Sequence, residues 1–153
     1  MKKKSFLLAL IVAICSAQYA SAQDYKMGIG LRLSNASPTI NNAITAKYFM
    51  NEESAVEGLL SFGSRFAVGA LYEKHKALDI PGLRYFYGAG GYLGFEGGRT
   101  YLGPTGALGL DYKFAAIPLN LSLDWKPELD VLPRIAFIPD AFGLSARFTI
   151  NPR

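Results

Sequence analysis

The residues best placed for chemistry in this 153-residue chain are Glu73 and His75, the latter being the sole histidine. A spacing of two puts both on one side of an extended strand. A base beside a carboxylate becomes catalytic only with a nucleophile in reach, and the chain has no Gly-x-Ser-x-Gly elbow. The simpler expectation is an ion pair between Glu73 and His75. One histidine with scattered carboxylates is also too few ligands for a metal. Gly88-Ala89-Gly90-Gly91 has the wrong spacing for a phosphate loop, and no helix follows it to supply a dipole. No catalytic, cofactor-binding or metal-ligating residue is therefore assigned, no cofactor is expected, and no enzymatic activity is expected.

A larger set of reactive groups recurs with a period of two. Pro118-Leu-Asn-Leu-Ser-Leu-Asp-Trp-Lys-Pro127 sends Leu119, Leu121, Leu123 and Trp125 to one side of a strand. Asn120, Ser122, Asp124 and Lys126 go to the other. A helix would scatter both sets around its circumference. The same alternation predicts strands over 24–34, 40–50, 55–62, 66–74, 83–95, 102–114, 118–127 and 140–150. Polar or Gly/Pro-bearing connections separate them, the longest being 128–139. The polar faces collect Lys26, Arg32, Lys47, Glu57, Glu73, Arg84, Asp111, Lys113, Asp124, Lys126 and Arg147. Glycines such as Gly28, Gly30, Gly88, Gly90 and Gly94 interleave with them. The fold class is thus all-β: eight antiparallel strands in an up-and-down barrel, with no helical periodicity.

Residues 1–22 read as a secretory signal peptide. Lys2, Lys3 and Lys4 are the basic start. The apolar run 6–14 is too short for a membrane helix of about 20 residues. Ala20-Ser21-Ala22 is a small-residue cleavage signature. Acylation at Cys15 is the alternative, but Ile14 stands where a small residue would be needed. Removal takes three of 16 basic residues and none of 12 acidic ones, leaving 13 against 12, a net charge of +1. No nucleic-acid patch is implied. The sole cysteine goes too, so the expected mature domain, 23–153, has no disulfide. No later apolar run reaches helix length, so a mature chain that spans a membrane does so as a closed barrel.

The aromatics favour a membrane barrel over a soluble one. With the amino terminus in the periplasm, Tyr25, Tyr48, Tyr72, Tyr85, Tyr112, Phe114 and Phe148 gather at one end of the apolar face. Phe62, Phe66, Phe95, Trp125 and Phe142 gather at the other, with aliphatic residues between. Two aromatic girdles around an apolar band are what outer-membrane barrels present to lipid. The charged faces then point inward, where an eight-stranded barrel is filled by side chains. A buried ion-pair network is expected there rather than an ion conduit, and 128–139 is expected to be an ordered cap or partner loop over one mouth.

Tyr85-Phe86-Tyr87-Gly88-Ala89-Gly90-Gly91, Gly109-Leu110-Asp111-Tyr112-Lys113-Phe114, 118–127 and Gly143-Leu144-Ser145-Ala146-Arg147-Phe148 carry a resemblance. The chain resembles small eight-stranded outer-membrane barrels of the OmpA/OmpX shape, and more closely those of Bacteroidota. The resemblance implies an eight-stranded barrel in a Gram-negative outer membrane and implies no activity; a monomer is expected. Its partners would be outer-membrane lipid and the barrel assembly machinery, and its role envelope structure or surface interaction. Some small barrels modify lipid A, which makes a lipid A-modifying enzyme the first alternative. A soluble, lipocalin-like periplasmic binder of an apolar ligand is the second.

Overall fold

The computed structural model describes residues 25–35, 39–40, 42–63 and 65–151. The expected signal peptide, with Cys15, lies outside them. The strands are β1 (Met27–Ser34), β2 (Ala43–Phe49), β3 (Ser54–Ser61), β4 (Phe66–Ala77), β5 (Leu83–Glu96), β6 (Arg99–Lys113), β7 (Leu119–Trp125), β8 (Glu128–Asp130), β9 (Ala136–Ile138) and β10 (Phe142–Ile150). Every pairing is antiparallel. The order runs β5-β4-β3-β2-β1-β10-β7-β6, and a β5–β6 pairing closes it on itself. The result is an eight-stranded antiparallel barrel.

The alternation read from the sequence becomes an alternation of burial. β10 is exposed and buried in turn at all nine positions. The face turned outward is the apolar one. Leu31, Leu33, Ile44, Leu108, Leu110, Leu123 and Leu144 are all exposed large hydrophobics, and they come from several different strands. The barrel closes with a stagger. A path leaving β1 at Met27 follows its partners through Tyr48, Val56, Tyr72, Ala89 and Gly106. Continued along the registers of β7 and β10, it returns to the line of β1 ten residues farther on. That stagger implies strands tilted by about 40°, and an eight-stranded barrel of this kind has room inside only for side chains. The end of the barrel where β1 begins is called the lower end.

The connection 128–139 departs from expectation. Instead of a cap it continues the wall. Thr105 faces Glu128 in the same register in which Leu108 faces Trp125, so β8 extends β7 past Pro127. Pro127 has no N–H to give the ladder, but its carbonyl accepts from Gly106 N–H at 3.1 Å. A bulge follows, where Val131 and Leu132 N–H both donate to Leu102 O, at 2.7 and 3.2 Å. β9 pairs with β8 and makes the hairpin's second arm. Polarity could not reveal this, because prolines at 127, 133 and 139 interrupt the pattern that strands are read from. The 96–101 turn is likewise tighter than expected: only Gly97 and Gly98 separate β5 from β6, at φ 55° and 76°. Two successive left-handed residues suit the two-residue hairpin turn, and glycine takes that conformation without strain.

Candidate functional site

The barrel interior holds a continuous chain of opposite charges. Arg32 Nη2 lies 2.7 Å from Asp124 Oδ1. Asp124 Oδ2 lies 3.0 Å from Lys126 Nζ, which lies 2.9 Å from Glu57 Oε2. Glu57 Oε1 pairs with Arg147 Nη2. Arg147 Nη1 is 4.0 Å from Asp111 Oδ1, and Lys47 Nζ is 3.7 Å from that same oxygen. Lys47 then reaches Glu73 Oε2 at 2.8 Å, and His75 Nε2 stands 3.0 Å from it. Four bases alternate with four acids, so the chain is neutral while His75 is uncharged. All are buried, most of them completely.

Arg147, Asp111 and Arg32 also have polar support, which burial favours, whereas Lys47 Nζ rests on its ion pairs alone. Arg147 Nε donates to Thr45 Oγ1 at 3.1 Å, and its Nη1 donates to Ser122 Oγ at 2.6 Å and Asn120 Oδ1 at 3.2 Å. Ser122 and Asn120 donate in turn to Asp111, at 2.5 and 2.9 Å. Arg32 Nη1 donates to Ile40 O at 3.0 Å. Thr45, Asn120 and Ser122 are missing from the expected network because it counts charges alone. Their signal is present in the sequence, since they share the inward parity of their strands.

Of the eleven residues expected in the lumen, three stand apart from the chain. Lys26 is exposed at the lower rim, with its Nζ 5.9 Å from the centre of the Tyr48 ring. Arg84 and Lys113 are half-buried at the lower mouth. Arg84 Nη1 donates to Glu52 O at 2.7 Å, and Lys113 Nζ donates to Ile117 O at 3.0 Å. They line a cavity of about 240 Å³ with Tyr25, Phe49, Leu78 and Ile80.

Among the expected girdle residues, Tyr48, Tyr72, Phe62, Phe66, Phe95, Phe142 and Phe148 are exposed on the outer face. Tyr85, Tyr112, Phe114 and Trp125 are half-buried against neighbours. Tyr112 and Phe114 meet edge to face at 4.8 Å, and Trp125 stacks near Phe142 at 6.4 Å. Tyr25 is the correction: it is 5% exposed and turned inward, with its hydroxyl 3.4 Å from Asp111 Oδ2. Residues 25 and 26 precede β1, so strand parity does not bind them. The ring instead folds across Gly28, where a Cβ would stand 3.1 Å from it, and the backbone turn that admits Tyr25 sends Lys26 out.

His75 is enclosed. Phe49 meets its ring at 4.8 Å and Phe86 stacks on it at 5.0 Å. Among the described residues, no group of three or more His, Cys, Asp or Glu could hold a metal ion.

The upper end is stoppered by the chain itself. Glu128 accepts from the N–H groups of Thr39 (2.6 Å) and Ile40 (2.7 Å), holding both residues inside the mouth. Ile40 sits over Gly69, and Thr39 over Gly94. Arg65 ties the same spot down, donating to Thr39 Oγ1 at 2.8 Å. Glu128→Gln leaves one acceptor facing two donors. Amide hydrogen exchange at Thr39 and Ile40 is expected to speed up by about tenfold or more, with exchange in β10 unchanged.

No protein-family model, curated protein or solved structure matches this chain.

Proposed function

We propose that this chain is an integral outer-membrane barrel of a Gram-negative bacterium, of the Bacteroidota kind. It is monomeric, without catalysis, and serves envelope structure or surface contact. One observation carries the reading: the barrel is inside out. Its charges are enclosed, and its outer wall is apolar, with aromatic side chains at both ends. In water such a surface would be a contiguous apolar patch far larger than monomers show. In hydrocarbon it is the surface a barrel needs, and closure leaves the wall no open edge. The filled lumen supports a structural role over conduction. The covered ring of His75 argues against lipid chemistry there, and an interior filled by ion pairs and by the packed side chains of Ile40, Leu59, Leu71 and Phe86 argues against an apolar ligand. The proposed partners are outer-membrane lipid and, during biogenesis, the barrel assembly machinery.

The test is to fold residues 23–153 into detergent micelles and compare gel mobility of unheated and boiled samples. A heat-dependent shift that needs detergent is expected. A monodisperse, detergent-free soluble protein overturns the reading. Leu123→Arg sharpens it, since Leu123 lies mid-wall and is 56% exposed. In lipid this substitution is expected to cost about 2–4 kcal/mol and to lower the yield of bilayer-inserted protein. On a soluble barrel it would be neutral or helpful.

A further inference from the structure

At the lower end of the outer wall the apolar pattern gives way along β4. The outward residues of β4 after Tyr72 are Lys74 and Lys76. Their partners on β5, Tyr87 and Tyr85, remain aromatic. Lys74 Nζ donates to Ser54 Oγ at 2.6 Å, and Tyr72 Oη donates to the same oxygen at 3.2 Å. Ser54 is buried and its Oγ accepts from both, so it anchors the half-buried Lys74, which keeps two N–H groups. The turn carrying Ser54 is held in place: Asn51 Oδ1 accepts from the N–H groups of Glu53 and Ser54, at 3.0 and 2.8 Å. Among the described residues no ion pair joins Lys74 or Lys26 to an acid. Lys76 has only Glu53, at 3.9 Å and largely exposed. Cations on a lipid-facing rim with no internal counter-charge, as Lys74 and Lys26 are, or with only a long exposed one, as Lys76 has, draw it from the bilayer.

Farther up β4 from this patch the wall is shallow. Ala46, Gly58, Ala70, Gly91 and Pro104 pair in one row across five strands, and Ala70 and Gly91 of that row line a hollow of about 370 Å³ with Val68, Leu93 and Leu102.

We propose that Lys74 and Lys76 bind the phosphate of an anionic glycerophospholipid, with buried Ser54 holding the Lys74 ammonium in place. Tyr72, Tyr85 and Tyr87 pack its glycerol region, and an acyl chain lies along the small-residue row. The inference rests on the membrane reading. A free phosphate would use the polar groups alone. A lipid uses the hollow as well, which is why the site is assigned to lipid.

The test is native mass spectrometry of the detergent-folded chain, with folding checked by heat-dependent mobility. The chain is titrated with phosphatidylglycerol or with phosphatidylcholine. The wild type is expected to prefer phosphatidylglycerol by about tenfold. Lys74→Gln with Lys76→Gln is expected to remove most of that preference, and the Lys74→Arg, Lys76→Arg pair to keep it. Arg99→Gln with Arg134→Gln, at the opposite end, should leave it unchanged. Equal affinity of the wild type for both lipids overturns the proposal, as does a preference that survives the glutamine pair. Displacement of phosphatidylglycerol by equimolar inorganic phosphate overturns the lipid assignment. A chain that folds without detergent overturns the membrane reading instead, so the two failures are distinguishable.

Discussion

Arg147→Met is expected to abolish the heat-resistant folded form. Arg147 ties together much of the lumen: Glu57, Thr45, Asn120 and Ser122 all accept from its guanidinium, and Asp111 lies 4.0 Å away. Methionine fills most of the volume but leaves Glu57 and Asp111, both buried, short of positive charge. Removing one member of a buried pair costs about 3–5 kcal/mol, because the remaining charge keeps its desolvation penalty and loses its partner. That is a large share of the roughly 5–15 kcal/mol typical of a whole domain. The readout is the folded fraction by gel mobility across a urea series. Combining Arg147→Met with Glu57→Gln removes one charge of each sign and is expected to recover part of the loss. If the double variant is as damaged as the sum of the singles, the two groups are not coupled and the pairing has no energetic weight.

The second large effect is steric and sits in the wall. Gly30 and Gly90 face the lumen where strands cross at close range. A Cβ on Gly30 would stand 1.8 Å from Ala146 O, and one on Gly90 would stand 1.9 Å from Ala70 O. Both obstacles are backbone, so neither can swing away as a side chain could. Gly30→Ala must loosen the seam between the first and last strands, β1 and β10, and Gly90→Ala the β4–β5 pairing. Each is expected to cost about 3 kcal/mol or more. Gly58→Ala is the control. It lies in the outer wall with its nearest obstacle, Ala46 O, at 3.9 Å, so its effect should stay within about 0.5 kcal/mol. Denaturation midpoints of the three variants in one detergent compare them directly. Equal midpoints would mean that the seam relaxes freely.

The strands and their two faces are written in the order of the residues. Alternation is a local property: each side chain's face follows from its position on an extended backbone. The faces of Arg32, Lys47, Asp124 and Arg147 are therefore legible one strand at a time, and so are those of Leu123 and Phe148. Parity loses its hold where residues leave the strand geometry. Tyr25 and Lys26 exchange sides just before β1. The prolines after Lys126 hide a hairpin that prolongs the wall. Thr39 and Ile40 turn into the mouth, because Glu128, 88 residues beyond Ile40, supplies the acceptors.

Which base meets which acid is settled only when the barrel closes. Arg32 and Asp124 are 92 positions apart, and Arg147 and Glu57 are 90 apart. These partners meet because closure comes with a ten-residue stagger, which sets the height at which each strand delivers its charges. Inward direction is a property of one residue and its strand, whereas height in the lumen is a property of the whole closed circuit.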